Sequence, residues 1–305
     1  MSNFFKTGFI YLRNQHIIPR IQYGIEAKKA NFWRLKKVIT EKLNDISCSN
    51  GSNFEISITK DDYYKLIYCE SELFLNKAYI QHHDYKKMVD NLSGSWSFVT
   101  LYYFLFFNLC CLMRFCERGY VYLTQEYTRK LDKAHIAFKS LPINISDGNY
   151  FFQKERVDSY GNIILSFKRV DSTHKVIWGD FRDILLVLIS NSTAQELGIY
   201  KTILSHLDSF QKAYPSNLRN ELNYNAETIL LDFKNEITCY DLVELNDEFY
   251  RSFLKIDENT STLSNKIKSI THISSFIYQL NFNLAEEFYN RSSYGKDFIK
   301  MRKNF

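Results

Sequence analysis

The sequence predicts a mostly helical protein, a single helical bundle around one buried apolar helix with a small β-hairpin insertion. Three observations favour this class. Only 3 Pro and 10 Gly occur in 305 residues, so long uninterrupted elements are expected. Residues 91–113 carry no charge, and 96–113 are apolar on nearly every side of a helix. Apolar residues also recur at helical spacing through most of the remaining chain.

The first fifty residues form a basic region. Apolar residues at helical spacing predict an amphipathic helix over 24–46, and the segment 50–53 predicts a turn. Residues 54–59 alternate between apolar and polar, so they form either a short strand or the approach to a helix that starts at Asp61 and Asp62. A helix over 71–92 is expected to follow.

The uncharged run is either a membrane span or the central helix of a soluble core. About 20 mostly apolar residues are enough to cross a bilayer. However, Trp96, Tyr102 and Tyr103 carry polar atoms that need partners, and Asn108 lies in the middle of the run. A helix that is apolar all round is also typical of the interior of a large domain. We therefore expect a buried helix that ends near Gly119 as its C-cap, with no stable membrane insertion.

The helical pattern changes between 140 and 180. The runs 163–167 and 175–178 predict the two strands of a β insertion at about 150–180. Helical periodicity precedes it at 125–140. It returns afterwards over 181–190, 194–213, 218–233, 242–254 and 263–290. No Pro-rich linker divides the chain, so one domain is expected, closed by C-terminal helices at 240–305.

Several kinds of chemistry are not indicated by the sequence. The six Cys include no CxxC pair, so neither a disulfide framework nor a zinc site is predicted. His82 and His83 are adjacent, and adjacent helical residues point about 100° apart, which does not suit one metal ion. No phosphate-binding Gly-rich loop, GxSxG or HExxH motif occurs, so no cofactor or metal is expected. The N-terminus lacks a long apolar segment typical of a secretory signal, which favours a cytoplasmic protein.

The net charge of +5 is concentrated towards the two ends of the chain. Basic clusters attract phosphate backbones through counterion release, and the 16% aromatic content is compatible with base stacking. A solvated helix face and an aromatic core would give the same composition, so both interpretations remain open. The candidate nucleic-acid-binding residues are Lys28, Lys29, Arg34, Lys36 and Lys37, and a second basic group lies at 291–303.

A polar cluster opens a predicted helix after Pro215. Ser216 or Asn217 is suited to the N-cap position, which places Arg219 and Asn220 in the first turns. Asn220 and Tyr224 are four residues apart and share one face. Such a cluster could hold a phosphate through amide groups, a guanidinium and a phenol. Alternatively, it is a capped helix end whose Arg ties down a neighbouring loop.

The chain resembles the HEPN superfamily of helical-bundle proteins. The resemblance covers about residues 70–235: an aromatic helix at 95–114, then Gly119, then Lys133-Ala134-His135, then a later Leu-Arg-Asn helix. Many HEPN proteins pair through a similar helix and act in prokaryotic toxin, CRISPR and antiphage systems. The resemblance implies a component of a bacterial antiphage defence or toxin–antitoxin system. It also implies RNA as a binding partner, and either a homodimer or a partner protein encoded in the same operon.

Catalytic HEPN members form a metal-independent RNase site from an Arg, often followed by Asn, and a His four to six residues later. Arg219 and Asn220 match the first half of this pattern, whereas Tyr224 stands where His is expected. With a pKa near 10, a phenol is a poor general base at neutral pH. His135, six residues after an Arg, and His206, on the preceding helix, are the alternative imidazoles.

Three functions are therefore compatible with the sequence. The first is RNA binding with metal-independent cleavage. The second is a non-catalytic scaffold or regulatory subunit that binds a partner protein in a defence complex. The third is a membrane-associated effector that uses the 91–113 helix.

Overall fold

The computed structural model describes residues 7–89, 93–209, 214–234, 237–256, 262–294 and 297–300. Helices make up 68% of the structure, and a five-stranded antiparallel sheet lies beside them. The prediction of a mostly helical fold with a buried central helix is confirmed. The β component is larger than the predicted hairpin insertion, since residues before the central helix also contribute strands.

The elements alternate along the chain, and the five strands come from three separate segments, 43–58, 118–123 and 148–170. In chain order, the first elements are α1 (Thr7–Leu12), a π-helical turn (Arg13–Ile17), two 3-10 segments (Ile18–Tyr23 and Ala27–Trp33), α2 (Leu35–Glu41), β1 (Leu43–Asn50), β2 (Asn53–Ile58), α3 (Lys60–Met88), α4 (Gly94–Phe115), β3 (Arg118–Leu123) and α5 (Gln125–Lys139). The remaining elements are β4 (Gly148–Val157), β5 (Ile163–Val170), α6 (Thr173–Ser190), α7 (Ala194–Ser209), α8 (Tyr214–Tyr224), α9 (Glu227–Phe233), α10 (Asp247–Leu254) and α11 (Leu263–Arg291).

α4 is the central helix of the bundle. It begins where the Ser93 hydroxyl accepts a hydrogen bond from the Trp96 amide and packs against α3, α6, α8 and α11. Phe104, Leu105 and Leu109 on this helix are completely buried. α4 is the one helix in the described ranges that is long and apolar enough to cross a membrane, yet other elements bury 72% of its apolar stretch.

The sheet has the strand order β1-β2-β5-β4-β3. β2 pairs with β5 across a long stretch of sequence, with Phe54 opposite Phe167, and the two rings stack at 4.7 Å. β4 and β5 form a hairpin whose turn is closed by Asp158, which accepts hydrogen bonds from the amides of Tyr160 and Asn162. The buried face of the sheet packs on α2, α5 and the first half of α3, which forms a second apolar core.

The predicted helix over 24–46 is wrong. The region instead contains the second 3-10 segment, α2 and β1. Arg34 lies between this 3-10 segment and α2, and its backbone is extended, with φ −73° and ψ 138°. β1 is a strand because it pairs along β2, and such tertiary pairing overrides a weak local helical preference.

Two other predicted boundaries are wrong. The run 175–178 belongs to the start of α6, capped by Ser172. A short apolar run is compatible with either a strand or a helix. The hairpin partner of β5 is β4, and not the run 175–178. α4 ends at Phe115 with Cys116 as its C-cap, while Gly119 lies inside β3.

Four predicted segments match the structure only in part. The helix expected over 242–254 forms only in its second half, as α10, because Asn246 caps it there. The predicted helix ends at 92 and 213 lie outside the described residues, as do the basic residues Lys296, Arg302 and Lys303.

Candidate functional site

A cleft of about 400 Å³ lies where α2 meets β3, α5 and the C-terminal end of α4. It is lined by side chains that combine positive charge with aromatic rings, among them Arg34, Lys36, Lys37, Arg114, Tyr122 and Tyr127. We call it the basic cleft. Three of the five predicted nucleic-acid-binding residues therefore lie together in one concave surface.

The cations of the basic cleft differ from their neighbours in charge pairing. Within the described chain, Arg34, Lys36 and Lys37 form no ion pair with a carboxylate, whereas Lys28 and Lys29 both pair with Glu26. The sequence predicted one basic group. The structure separates it into two lysines outside the cleft that share the carboxylate of Glu26 and three cations that line the cleft without a carboxylate partner among the described residues.

Exposed rings lie beside these cations. Lys36 Nζ lies 6.0 Å from the ring centre of Tyr122, which is 49% exposed. Lys37 Nζ lies 5.2 Å from the ring of Phe32, which is 64% exposed. Unpaired cations next to accessible rings are the combination with which proteins hold single-stranded nucleic acid.

A buried ion pair forms the floor of the basic cleft. Arg114 donates from Nε and Nη2 to one oxygen of Glu70, at 3.3 and 3.2 Å, and from Nη2 to the carbonyl of Tyr120 at 2.9 Å. The other Glu70 oxygen accepts a hydrogen bond from the backbone amide of Leu35. This pair therefore ties α3, α4 and β3 to the first residue of α2.

A second polar cluster surrounds Arg219. Arg219 lies on α8, is 8% exposed, and places Cζ 5.3 Å and 5.7 Å from the ring centres of Tyr102 and Tyr103 on α4. Its Nε is buried without a hydrogen-bond partner in the described part of the chain. The guanidinium thus lies over the faces of two rings, and its buried Nε donor has no hydrogen-bond partner in the described residues.

His174 lies next to this guanidinium, on the first turn of α6. Its Nδ1 is 2.6 Å from the Tyr102 hydroxyl, which lies 3.0 Å from Ser216 Oγ. Trp178 Nε1 also donates to Ser216 Oγ, at 3.0 Å. We call Arg219, Tyr102, His174 and Ser216 the Arg219 cluster.

The protonation of this cluster follows from burial. Desolvation, followed by the charge of Arg219, lowers the pKa of His174 below 6.5, so its imidazole is neutral at pH 7. Burial raises the pKa of Tyr102 to about 12, so the phenol keeps its proton. His174 Nε2 is a base in the tautomer that carries its proton on Nδ1 and donates it to the Tyr102 oxygen.

The other predicted site residues lie elsewhere. Asn220 and Tyr224 are exposed on α8, Tyr224 by 74%. His135 on α5 contacts the carbonyl of Leu141 through Nδ1 at 2.7 Å. His206 on α7 is buried and stacks on Phe253. Among the described contacts, neither imidazole hydrogen-bonds or stacks with the Arg219 cluster.

His174 was missed at the sequence level. It precedes the run 175–178, which was assigned to a strand, and it lies 45 residues before Arg219. The signal that could have indicated it is Ser172, which caps a helix when it precedes such a run. A cap at Ser172 would have placed His174 in a first helical turn.

Thiol and metal chemistry have little support in the described residues. The six cysteines, all within the described residues, form no disulfide, and burial raises the pKa of Cys110 and Cys116 to about 12, which leaves them as thiols rather than nucleophilic thiolates. Among the described residues, no three His, Cys, Asp or Glu side chains are grouped to hold a metal ion.

Comparisons with known proteins add no identification. No family model matches the chain, and no curated protein or solved structure matches it significantly. The resemblance to the HEPN superfamily therefore remains an expectation from the sequence.

Proposed function

We propose that this protein binds single-stranded RNA, with the phosphates of the strand held in the basic cleft. One observation carries the proposal: Arg34, Lys36 and Lys37 line one concave surface and have no carboxylate partner among the described residues, and exposed rings lie beside Lys36 and Lys37. Phosphates would replace the counterions of these cations, while unpaired bases stack on Tyr122 and Phe32. A single strand is favoured because bases in a duplex do not offer their faces for stacking.

The salt dependence of binding tests the role of the three cations. Affinity for a labelled single-stranded RNA is measured by fluorescence anisotropy over a series of salt concentrations. For the triple variant Arg34→Gln, Lys36→Gln and Lys37→Gln, the slope of log affinity against log salt should decrease by about 2, from roughly 0.7 per phosphate contact on a single strand. The matched control, Lys28→Gln with Lys29→Gln, should keep the wild-type slope. Equal slopes for both variants would contradict the proposal.

Stacking is tested by removing one ring. Base–aromatic stacking is worth about 1–3 kcal/mol per base, so Tyr122→Ala should weaken RNA binding by about 5- to 150-fold. Tyr160, at the tip of the β4–β5 turn and 89% exposed, provides the control: Tyr160→Ala should leave affinity unchanged. If Tyr122→Ala binds RNA as tightly as the wild type, the cleft does not stack bases at this ring.

A second candidate function is metal-independent RNA cleavage at the Arg219 cluster. It is favoured by the neutral imidazole of His174 beside the unpaired guanidinium of Arg219. In this proposal Arg219 binds the scissile phosphate and His174 Nε2 removes the proton of the adjacent 2′-hydroxyl. The 2′-oxygen then attacks phosphorus and forms a cyclic phosphate. The 5′-oxygen leaves and takes a proton from water.

Cleavage in the presence of EDTA tests this second function. Purified protein should cleave RNA without a divalent ion and be toxic on induction. Arg219→Ala should abolish both properties while the protein stays folded. RNA binding without cleavage in any buffer would contradict the RNase proposal and leave the binding proposal intact.

The wider role that we propose follows the resemblance. The protein would act in the cytoplasm as a component of a bacterial antiphage or toxin–antitoxin system, as a homodimer or with a partner protein from the same operon. If no cleavage occurs, the remaining proposal is a regulatory subunit. In that case Arg219→Ala or Asn220→Ala should impair partner binding or cellular protection.

A further inference from the structure

A second cavity of about 400 Å³ lies at the opposite end of α4 from the basic cleft. It is formed by the first turn of α4, the end of α8 and the start of α9. The residues that matter for its chemistry are Ser95, Trp96, Asn223, Tyr224, Asn225 and Asp232. We call it the Trp96 pocket. Its volume lies within the range of small-molecule sites, about 300–1,000 Å³.

Two large aromatic side chains stand at the mouth of the pocket. Trp96 is 57% exposed and Tyr224 is 74% exposed, and both line the cavity. They come from different helices, so no local sequence preference explains why they meet here. Exposed rings around a cavity offer flat apolar faces to a ligand that is itself flat.

The interior of the pocket contains polar atoms that have no partner. Ser95 is only 7% exposed, and its hydroxyl oxygen is buried without a hydrogen bond in the described chain. The side-chain amide of Asn223 also makes no hydrogen bond there. Asn223 is half-buried and Asn225 is exposed, and Asn225 uses only its oxygen, which accepts from the Glu227 amide at 3.0 Å. A buried hydroxyl such as that of Ser95 normally has a partner, so a ligand with its own donors and acceptors fits this interior.

Asp232, the one acidic residue among the described residues that line the pocket, already has hydrogen-bond partners. Asp232 accepts hydrogen bonds from the Ser93 hydroxyl, at 2.5 Å, and from the Ser95 amide, at 3.1 Å. It thereby caps the positive end of α4, where a carboxylate is stabilised. No Lys or Arg is among the described residues that line the cavity. The uncommitted groups are neutral, so the pocket is suited to a neutral ligand and not to a phosphate.

We propose that the Trp96 pocket binds a nucleobase, which stacks on Trp96 and Tyr224 and hydrogen-bonds to Asn223 and the Ser95 hydroxyl. A base is flat, neutral and edged with donors and acceptors, and a side-chain amide pairs with two such groups at once. The base could belong to a free nucleotide or to an RNA strand. The inference does not depend on the basic cleft, since Trp96 and Arg114 are separated along α4 by about 27 Å at 1.5 Å per residue.

Tryptophan fluorescence tests the proposal on the intact protein. Of the three Trp residues, Trp178 is buried and Trp96 is exposed in the pocket. Titration with AMP, GMP, CMP and UMP should quench the emission in a saturable manner with at least one nucleotide, and ribose 5-phosphate should not. In Trp96→Phe the quenching should disappear, while calorimetry should still detect the nucleotide, because Phe retains a ring.

Two variants keep Trp96 as the fluorescent reporter and remove proposed contacts with the base. Asn223→Ala and Tyr224→Ala lie at the surface and should fold normally, as checked by circular dichroism. Tyr224→Ala should weaken nucleotide binding by at least about 5-fold, and Asn223→Ala should change the preference among the four bases. Tyr160→Ala is the matched control and should bind as the wild type. The proposal is overturned if no nucleotide quenches at millimolar concentration, if ribose 5-phosphate quenches equally, or if both variants bind as the wild type.

A comparison of RNA with mononucleotides identifies the source of the base. If the base belongs to a strand, Tyr224→Ala weakens RNA binding and mononucleotides bind only at millimolar concentration. If the ligand is a free nucleotide, binding is micromolar and RNA affinity is unchanged by Tyr224→Ala. The triple variant of the basic cleft should bind mononucleotides normally in both cases. A failure of the RNA-binding proposal is therefore distinguishable from a failure of this one.

Discussion

Arg114 and Glu70 form a two-pronged ion pair, with Arg114 Nε and Nη2 at 3.3 and 3.2 Å from one oxygen of Glu70. Both residues are buried, at 2% and 8% exposure. Arg114 also lies 4.7 Å from the ring centre of Phe152, so this single guanidinium connects the helical bundle to the sheet. Because Glu70 holds the first amide of α2 as well, the pair also fixes the position of the basic cleft.

Removal of Glu70 should therefore destabilise the whole protein. Glu70→Ala leaves the Arg114 charge buried and unpaired, and the loss of one partner of a buried pair costs about 3–5 kcal/mol. The exposed pair between Arg156 and Glu55 provides the control, since solvent screens this pair and Arg156→Ala should leave the stability nearly unchanged. Urea denaturation measures both variants. Equal stabilities would show that the Arg114–Glu70 pair is not structurally important.

Two glycines should respond oppositely to the same substitution. Gly119 in β3 has φ +156°, and a Cβ there would collide with the Arg114 guanidinium. Gly119→Ala should therefore lower the free energy of unfolding by about 2–3 kcal/mol. Gly179 lies inside α6 with open space around its Cβ position, so Gly179→Ala should raise that free energy by about 0.5–1 kcal/mol. Thermal denaturation of the two variants checks the opposite signs.

The elements that could be predicted from the sequence are those whose signal is local. The uncharged run and its Ser93 cap define α4, and alternation over 54–59 fits β2. The segment 24–46 could not be predicted, because β1 exists only through its pairing with β2. The pairing of Phe54 with Phe167 joins strands more than a hundred residues apart, and no short-range pattern specifies that register.

The candidate site shows the same division. Arg219 could be singled out because its neighbours form a local polar pattern. Its imidazole partner could not, because only folding brings His174 of α6 and Arg219 of α8 to the same side chain, Tyr102 of α4. The charge pairing of the lysines could not be predicted from the sequence either. Lys28 and Lys36 look alike in sequence, but of the two only Lys28 forms an ion pair with Glu26.

The burial of α4 predicts different outcomes for two neighbouring positions. Leu109 is fully buried, so Leu109→Asp should abolish folding, since an unpaired charge in a packed core is very costly. Phe106 is only half-buried, so Phe106→Asp should leave a folded protein of reduced stability. Wild-type protein should be recovered without detergent, and circular dichroism of the soluble fractions compares the variants. Recovery only in membranes, resistant to high salt, would contradict the interpretation of α4 as a core helix.

Asp180 should make stability depend on pH. Burial raises its pKa from 3.8 to about 6, although Arg118 at 2.8 Å acts in the opposite direction. The folded state thus binds a proton that the unfolded state releases between pH 4 and 6. The stabilising contribution is complete below about pH 4 and is lost as the pH rises through 6, by roughly 3 kcal/mol. Urea denaturation at pH 4 to 7 should show this loss in the wild type and not in Asp180→Asn, whereas parallel curves would refute it.

A panel of three histidine variants tests which imidazole serves the proposed RNase. His174 is the histidine beside Arg219, while His135 and His206 lie in other contacts. If cleavage occurs, His174→Gln should lower its rate by about 10²- to 10⁴-fold, the usual contribution of a general base, and leave RNA affinity unchanged. His135→Gln and His206→Gln should cleave at nearly the wild-type rate once corrected for the folded fraction.

The pH profile adds a readout that a structural role for His174 would not give. Because burial and Arg219 lower the pKa of His174 below 6.5, the base should be unprotonated at neutral pH, and the rate should fall only in acid as the imidazole gains a proton. Arg219→Lys keeps a charge but loses the planar guanidinium that rests on Tyr102 and Tyr103. Arg219→Lys should lower the cleavage rate. It should change only a little the pH at which the rate falls in acid, because a cation still lies near His174. If His135→Gln or His206→Gln abolishes cleavage while His174→Gln retains it, the Arg219 cluster is not the catalytic site.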